Sequence, residues 1–262
     1  MTADTIEQGA ILNRTAMPPG SIVFGGHSHV TAIIARANDK ALEQVKLGDD
    51  VFGLVGPFPR DEAYWRALGE LGRDNIVMLS YGGNEHNAHF LCAVQPPFDF
   101  MLADEPDAPL DTSAQVLPET MIDAWFALFG TGLREALAPI MACGPREIFV
   151  LGTPAPKRDE AHLRQAIVRE PGLMAKAEAI GMSAETLRFT PAYLRRKLWK
   201  KLQSAYAATA RELGGDFIPV PPDSLDADGL LKAEYQTPDA THANFQYGAL
   251  ARAHFVAQAK AA

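Results

Sequence analysis

Short, nearly unbroken apolar runs recur along the chain, separated by longer stretches in which apolar residues return every third or fourth position. Ser21-Ile22-Val23-Phe24, Val51-Phe52-Gly53-Leu54-Val55, Ile76-Val77-Met78-Leu79, Glu147-Ile148-Phe149-Val150-Leu151 and Phe217-Ile218-Pro219-Val220 are continuous rather than alternating. That is the pattern of strands covered on both faces. Helices are predicted between and after them, over about residues 28–38, 60–72, 118–142, 160–181, 191–213 and 244–260. Strands alternating with helices predict an α/β sandwich of five buried parallel strands joined by right-handed crossovers.

The fourth crossover, from Gly152 to Gly215, is long enough for two helices with a Gly-Met-Ser and Phe-Thr-Pro region between them. It predicts a helical lobe over about 152–215 within a single domain spanning 1–262. In its second helix Leu194, Leu198 and Leu202 form one stripe while Arg195, Arg196, Lys197, Lys200 and Lys201 fill the remainder. This pattern predicts a solvated basic face. Residues 98–118 are rich in Pro and Asp and carry Phe98, Phe100, Met101 and Leu102. They predict an irregular cover loop, about 90–118, folded over the site.

Composition narrows the class. The 262 residues are 47% hydrophobic and 21% charged, which is ordinary for a globular protein and excludes disordered and fibrous classes. Lys plus Arg number 24 against 32 Asp plus Glu, a net charge of -8, so the average surface repels nucleic-acid phosphates and anionic membranes. No run of 18 apolar residues occurs, and MTADTIEQGAILNRTAMPPGS lacks a basic stretch ahead of an apolar one. The expectation is a cytoplasmic protein with no membrane span and no nucleic-acid partner. Cys92 and Cys143 have no paired spacing and are expected as buried free thiols outside the chemistry.

Ligands of a doubly wound sheet bind at the carboxyl ends of its strands. Gly25-Gly26-His27-Ser28-His29 follows the first strand, Gly53-Leu54-Val55-Gly56-Pro57 closes the second, and Tyr81-Gly82-Gly83-Asn84-Glu85-His86-Asn87-Ala88-His89 follows the third. Asp239-Ala240-Thr241-His242 precedes the last helix. Glycines let backbone amides approach a ligand, and Ser28 falls at a helix start, where unsatisfied N–H groups favour negative charge.

These pieces, in this order and across residues 21 to about 256, resemble the SGNH (GDSL-type) hydrolase family. Gly26-His27-Ser28 stands where that family has Gly-Asp-Ser, Gly82-Gly83-Asn84-Glu85 resembles its Gly-x-Asn-Asp block, and Asp239-Ala240-Thr241-His242 matches Asp-x-x-His. The resemblance implies a three-layer, flavodoxin-like α/β/α sandwich and an esterase, lipase or carbohydrate deacetylase acting on small-molecule or glycan esters without a cofactor. It implies Ser28 as nucleophile, His242 as general base and Asp239 as the carboxylate that orients the imidazole. The implied oxyanion hole is the Ser28 N–H, the Gly56 N–H, with Gly53 behind it, and the Asn84 amide. His27 and Glu85 stand where the family has aspartates. The residue types suit the chemistry: a serine hydroxyl is a weak nucleophile until a base takes its proton, and the acyl oxygen gains charge that N–H donors stabilise.

Five of the seven histidines, His27, His29, His86, His89 and His242, lie in three of these loops. His27, His29, Glu85, His86 and His89 are expected to line a substrate pocket. A second reading of the same residues is a metal-dependent hydrolase, in which the two histidine pairs, Glu85 and Asp239 hold a water-activating ion; the serine reading assigns no metal. A third is an acyl-transfer or binding protein on the same fold, kept dry by Phe98, Phe100, Trp125, Phe126 and Phe129.

Overall fold

A computed structural model of the chain describes residue 11 and residues 13–37 and 41–262. Much of the N-terminal segment read above for a leader, and residue 38 of the first predicted helix, lie outside the described residues. In chain order the elements are β1 (Ile22–Gly26), α1 (Val30–Ile34), β2 (Glu43–Lys46), β3 (Val51–Val55), α2 (Glu62–Gly72), β4 (Ile76–Ser80) and α3 (Glu85–Phe90). There follow β5 (Phe98–Asp99), β6 (Gln115–Val116), α4 (Glu119–Ala127), α5 (Gly130–Met141), β7 (Glu147–Leu151), α6 (Glu160–Arg169), α7 (Pro171–Ala179), α8 (Ala192–Glu212), β8 (Asp216–Ile218) and α9 (Phe245–Ala261).

The main sheet runs β2-β3-β1-β4-β7-β8. The five strands predicted from apolar runs are parallel to one another, and β2 pairs antiparallel with β3. Among the parallel strands the order is that of flavodoxin-like sheets. The sheet therefore has six strands rather than five. Glu43-Gln44-Val45-Lys46 escaped the prediction because an antiparallel edge strand needs only one covered face, and these residues are mostly polar and, Gln44 apart, not fully buried.

The continuous runs are explained by β1, whose residues alternate between two cores. Val23 packs with Leu54, Val77, Leu79 and Val150 beneath Tyr64, Leu68, Leu133, Leu198 and Leu202 of α2, α5 and α8. Ile22 and Phe24 face the other side, where Val30, Ile33, Tyr247, Ala251 and Phe255 of α1 and α9 cover them. This makes three layers, α/β/α.

Three predicted helices change. α1 is shorter than expected because Ala35 turns left-handed at φ 55° and the Arg36 amide closes back on the Thr31 carbonyl. Residues 118–142 break into α4 and α5, and 160–181 break at Pro171, which begins α7 and has no N–H with which to continue a helix. α6, α7 and Met182, Leu187 and Phe189 build a smaller apolar cluster that also receives Ala240.

The basic face of α8 is not solvated. Lys197 and Asp99 form an ion pair with side chains 1% and 0% exposed. Arg196 pairs with Glu105, Lys200 with Asp104 and Glu105, and Lys201 with Glu119 and Asp123. The Pro- and Asp-rich segment supplies most of these acids, while its Phe100 and Leu102, with Phe126 of α4, enter the core under α8. Cys92 and Cys143 are free and only half-buried. Among the described residues no helix is long and apolar enough to cross a membrane.

Candidate active site

β1 and β4 are hydrogen-bonded neighbours, and the chain leaves β1 toward β3 on one side and β4 toward β7 on the other, so a crevice opens at their carboxyl ends. Two of the glycine-rich loops flank it. Gly26 has φ 141°, and a Cβ there would lie 1.9 Å from the Ser80 carbonyl oxygen, so only glycine fits. The His27 N–H donates to that same Ser80 oxygen at 2.8 Å. The Gly26 N–H donates to the Tyr64 hydroxyl at 2.8 Å, and its carbonyl accepts from Arg60 Nε at 2.9 Å. The turn that carries Ser28 is therefore tied to β4 and α2 before α1 begins.

The loop ahead of α9 brings the other residues in. His242 Nε2 lies 2.9 Å from Ser28 Oγ, across 214 positions of sequence, and Nδ1 lies 3.0 Å from Asp239 Oδ2. Asp239 Oδ1 accepts the backbone N–H groups of Thr241 at 2.8 Å and His242 at 2.7 Å. The three-residue gap thus lets one carboxylate oxygen shape the turn while the other holds the ring. Burial pulls the Asp239 carboxyl upward, but the hydrogen bonds from the His242 ring and backbone, with the charge of the imidazole, outweigh it and hold the group well below the usual carboxylate range. A Nδ1–H donated to Asp239 leaves Nε2 free to accept the Ser28 proton. Both the Asp239 and His242 side chains are 34% exposed, so the dyad is open to a ligand.

The remaining predicted residues separate. Asn84 stands at the N-terminus of α3 without capping it, and its amide lies against His29. Gly56 follows the end of β3, its carbonyl held by Arg60, whereas Gly53 lies within β3, opposite Phe24 and Val45. Glu85 Oε2 accepts the Gly83 N–H at 2.8 Å and so braces its own loop. His27 points away from the triad: Nδ1 accepts the Gly82 N–H at 3.1 Å, and the ring packs on Trp65 and Tyr81. Burial, then the Arg60 charge, pushes its pKa down to about 4. His89 packs on Trp125 and Phe129.

Of His27, His29, His86 and His89, it is His29 that reaches His242, its ring centroid 5.0 Å away, with His86 next to it. Burial first, then the charge of His242, pushes His29 down to about 3. Burial and the Arg195 charge do the same to His86. The four histidines of the metal reading thus face three directions. Among the described residues no group of three or more His, Cys, Asp or Glu is arranged to hold an ion.

Sequence reasoning missed Arg60 and Tyr64, which brace the Ser28 turn, and Lys157 and His162, which bond the Asp239 carbonyl. Position alone could have flagged Arg60 and Lys157, since each follows a strand's carboxyl end; Tyr64 and His162 sit on helices with nothing to mark them.

No family model matches the chain, and no curated protein matches it. It is similar to several solved structures. One is a carbohydrate acetylesterase from Sinorhizobium meliloti, at 12% identity over 92% of this chain and 98% of the other, with a TM-score of 0.44. A second is a catalytic mutant of an acetylxylan esterase from Geobacillus stearothermophilus, at 10% identity over 93% and 95%, TM-score 0.43. A third is a GDSL-like lipase from Bacteroides thetaiotaomicron, at 11% identity over 95% and 93%, TM-score 0.41.

Proposed function

We propose that the chain is an SGNH-type serine esterase that hydrolyses carboxylic esters, acyl or acetyl, of small molecules or glycans through a Ser28 acyl-enzyme. The observation that carries this reading is the unbroken line from Ser28 Oγ through His242 to Asp239, at 2.9 and 3.0 Å, at the carboxyl edge of the sheet. In this mechanism His242 Nε2 takes the hydroxyl proton as Oγ attacks the acyl carbon, and Asp239 stabilises the imidazolium that forms. The acyl oxygen becomes an oxyanion facing the Ser28 N–H, the Gly56 N–H and the Asn84 amide. Each such donor typically contributes about 100- to 1000-fold to the rate. His242 returns the proton to the leaving alcohol, and water repeats the sequence on the acyl-enzyme. His29, held neutral by burial, adds no positive charge beside the imidazolium.

A fluorophosphonate reagent followed by intact mass and peptide mapping tests this directly. The expected result is one adduct on Ser28, lost in Ser28→Ala and strongly slowed in His242→Ala, with ester turnover unaffected by a chelator. An unlabelled Ser28, or full turnover in Ser28→Ala that a chelator abolishes, would overturn the reading.

A further inference from the structure

We infer that Lys157 is a positioning residue: its buried ammonium holds the Asp239 loop in place and, by its charge, sets the pH range in which His242 works as a base. The inference rests on the triad proposed above. Lys157 lies between β7 and α6, and its side chain is 1% exposed. Nζ donates to the Thr237 carbonyl at 2.8 Å, the Thr237 hydroxyl at 3.2 Å and the Asp239 carbonyl at 2.5 Å, which uses all three of its N–H groups. The Thr237 hydroxyl in turn donates to the His242 carbonyl at 2.7 Å. One cation thereby ties together the main chain before, at and after Asp239. Lys157 is itself anchored, since its carbonyl accepts from Arg195 Nη2 of α8 at 3.0 Å.

The charge has a second effect. Nζ lies 3.6 Å from Asp239 Oδ1, the oxygen that the His242 ring does not use. A cation there offsets part of the negative field that would stabilise an imidazolium on Oδ2. The other groups facing this pair are His162 on α6, whose Nε2 is 3.1 Å from the Asp239 carbonyl, and Glu170 ahead of α7, which bonds the Ala240 N–H. His29, with His86 against it, completes the surround, and both are neutral. Lys157 is therefore a cation that opposes a proton on His242; burial pulls its own pKa down, and Asp239 and Glu170 act against that to keep it charged.

The test compares Lys157→Met, Lys157→Arg and Thr237→Val for kcat, KM and the pH dependence of kcat/KM on a short p-nitrophenyl ester. Lys157→Met is expected to lower kcat by about 100-fold, the size of effect that a misplaced catalytic group produces, with KM little changed. Its acid limb should move up by about half a pH unit, because the imidazolium is no longer opposed. Lys157→Arg keeps the charge and loses the fit, so kcat falls while the limb stays. Thr237→Val lowers kcat less and leaves the limb in place.

A Lys157 that is only structural would leave the acid limb at the wild-type position in all three variants, and that result overturns the inference. If Lys157→Met does not fold, Thr237→Val decides: an unchanged kcat overturns it. Ser28→Ala run alongside separates the two levels. Activity surviving in Ser28→Ala removes the triad itself. An inactive Ser28→Ala beside a Lys157→Met with wild-type kcat and pH profile removes the Lys157 assignment alone.

Discussion

Two carboxylates in this molecule, Asp99 and Asp239, each meet a nitrogen base, with opposite consequences. Asp99 Oδ1 accepts Lys197 Nζ and the Phe100 N–H, both at 2.7 Å. Its Oδ2 accepts the Asp111 N–H at 2.8 Å and the Tyr193 hydroxyl at 3.1 Å. Lys197 spends another N–H on the Phe100 carbonyl at 2.7 Å, and neither side chain meets solvent. With these lone pairs and donors matched and both side chains buried, the pair serves to hold the Pro- and Asp-rich segment onto α8. Asp239 also uses both oxygens, but its base has a second nitrogen turned to Ser28 and an exposed edge. What separates the two is the spare nitrogen on the base and its access to a ligand, since both are close contacts between a carboxylate and a nitrogen.

Breaking each pair should expose the contrast. Ser28→Ala is expected to cut ester hydrolysis by about 10⁴- to 10⁶-fold, as removal of a triad nucleophile does elsewhere, while its melting midpoint stays at the wild-type value; initial rates and a thermal scan check both. Lys197→Met leaves Asp99 charged and buried without its cation, and about 3 to 5 kcal/mol should disappear from the urea unfolding free energy. Adding Asp99→Leu should restore much of it, and turnover per folded molecule should survive in the double variant.

The buried histidines give a pH signature of intermediate size. His29 and His86, pushed down to about 3 chiefly by burial, take up no proton in the folded chain between pH 6.5 and about 3, whereas the unfolded chain does. Stability therefore falls with pH through that window, by at most about 1.4 kcal/mol per unit for each. His86→Gln should narrow the loss of stability between pH 6.5 and 5 by about 2 kcal/mol, measured as urea midpoints at the two pH values. At the rim of the α8 zipper, Lys200→Ala removes pairs with Asp104 and Glu105 and should cost under about 1 kcal/mol, less still in high salt.

The legibility of these regions in sequence follows the range of the forces involved. β1, β3, β4 and β7 were readable because burial on both faces demands an apolar residue at nearly every position, whereas the edge strand β8 is only partly buried and was marked by Phe217 and Ile218, and β2, at the other edge, left no apolar run. Ser28, Asn84 and the Asp239 to His242 gap were readable because glycine-rich turns and a three-residue spacing are local requirements. The fate of the α8 cations was not, because Lys197 finds Asp99 98 positions away and a basic stripe looks the same whether water or acid covers it. Nor was the division among the histidines: His27 and His29 are two residues apart, yet one turns toward Trp65 and the other toward His242.

Residue order alone thus carried the α/β alternation, the glycines without which the Ser28 turn could not approach β4, and Ser28, Asp239 and His242 as candidates for one site. Apolar periodicity and short-range turn chemistry are written in adjacent residues. Tertiary packing decided which groups became neutral, which charges were matched and which of five clustered histidines faces a serine. Those outcomes depend on desolvation and on contacts across 82 positions between Lys157 and Asp239 and 214 between Ser28 and His242, and such distances close only when the sheet and its layers have formed.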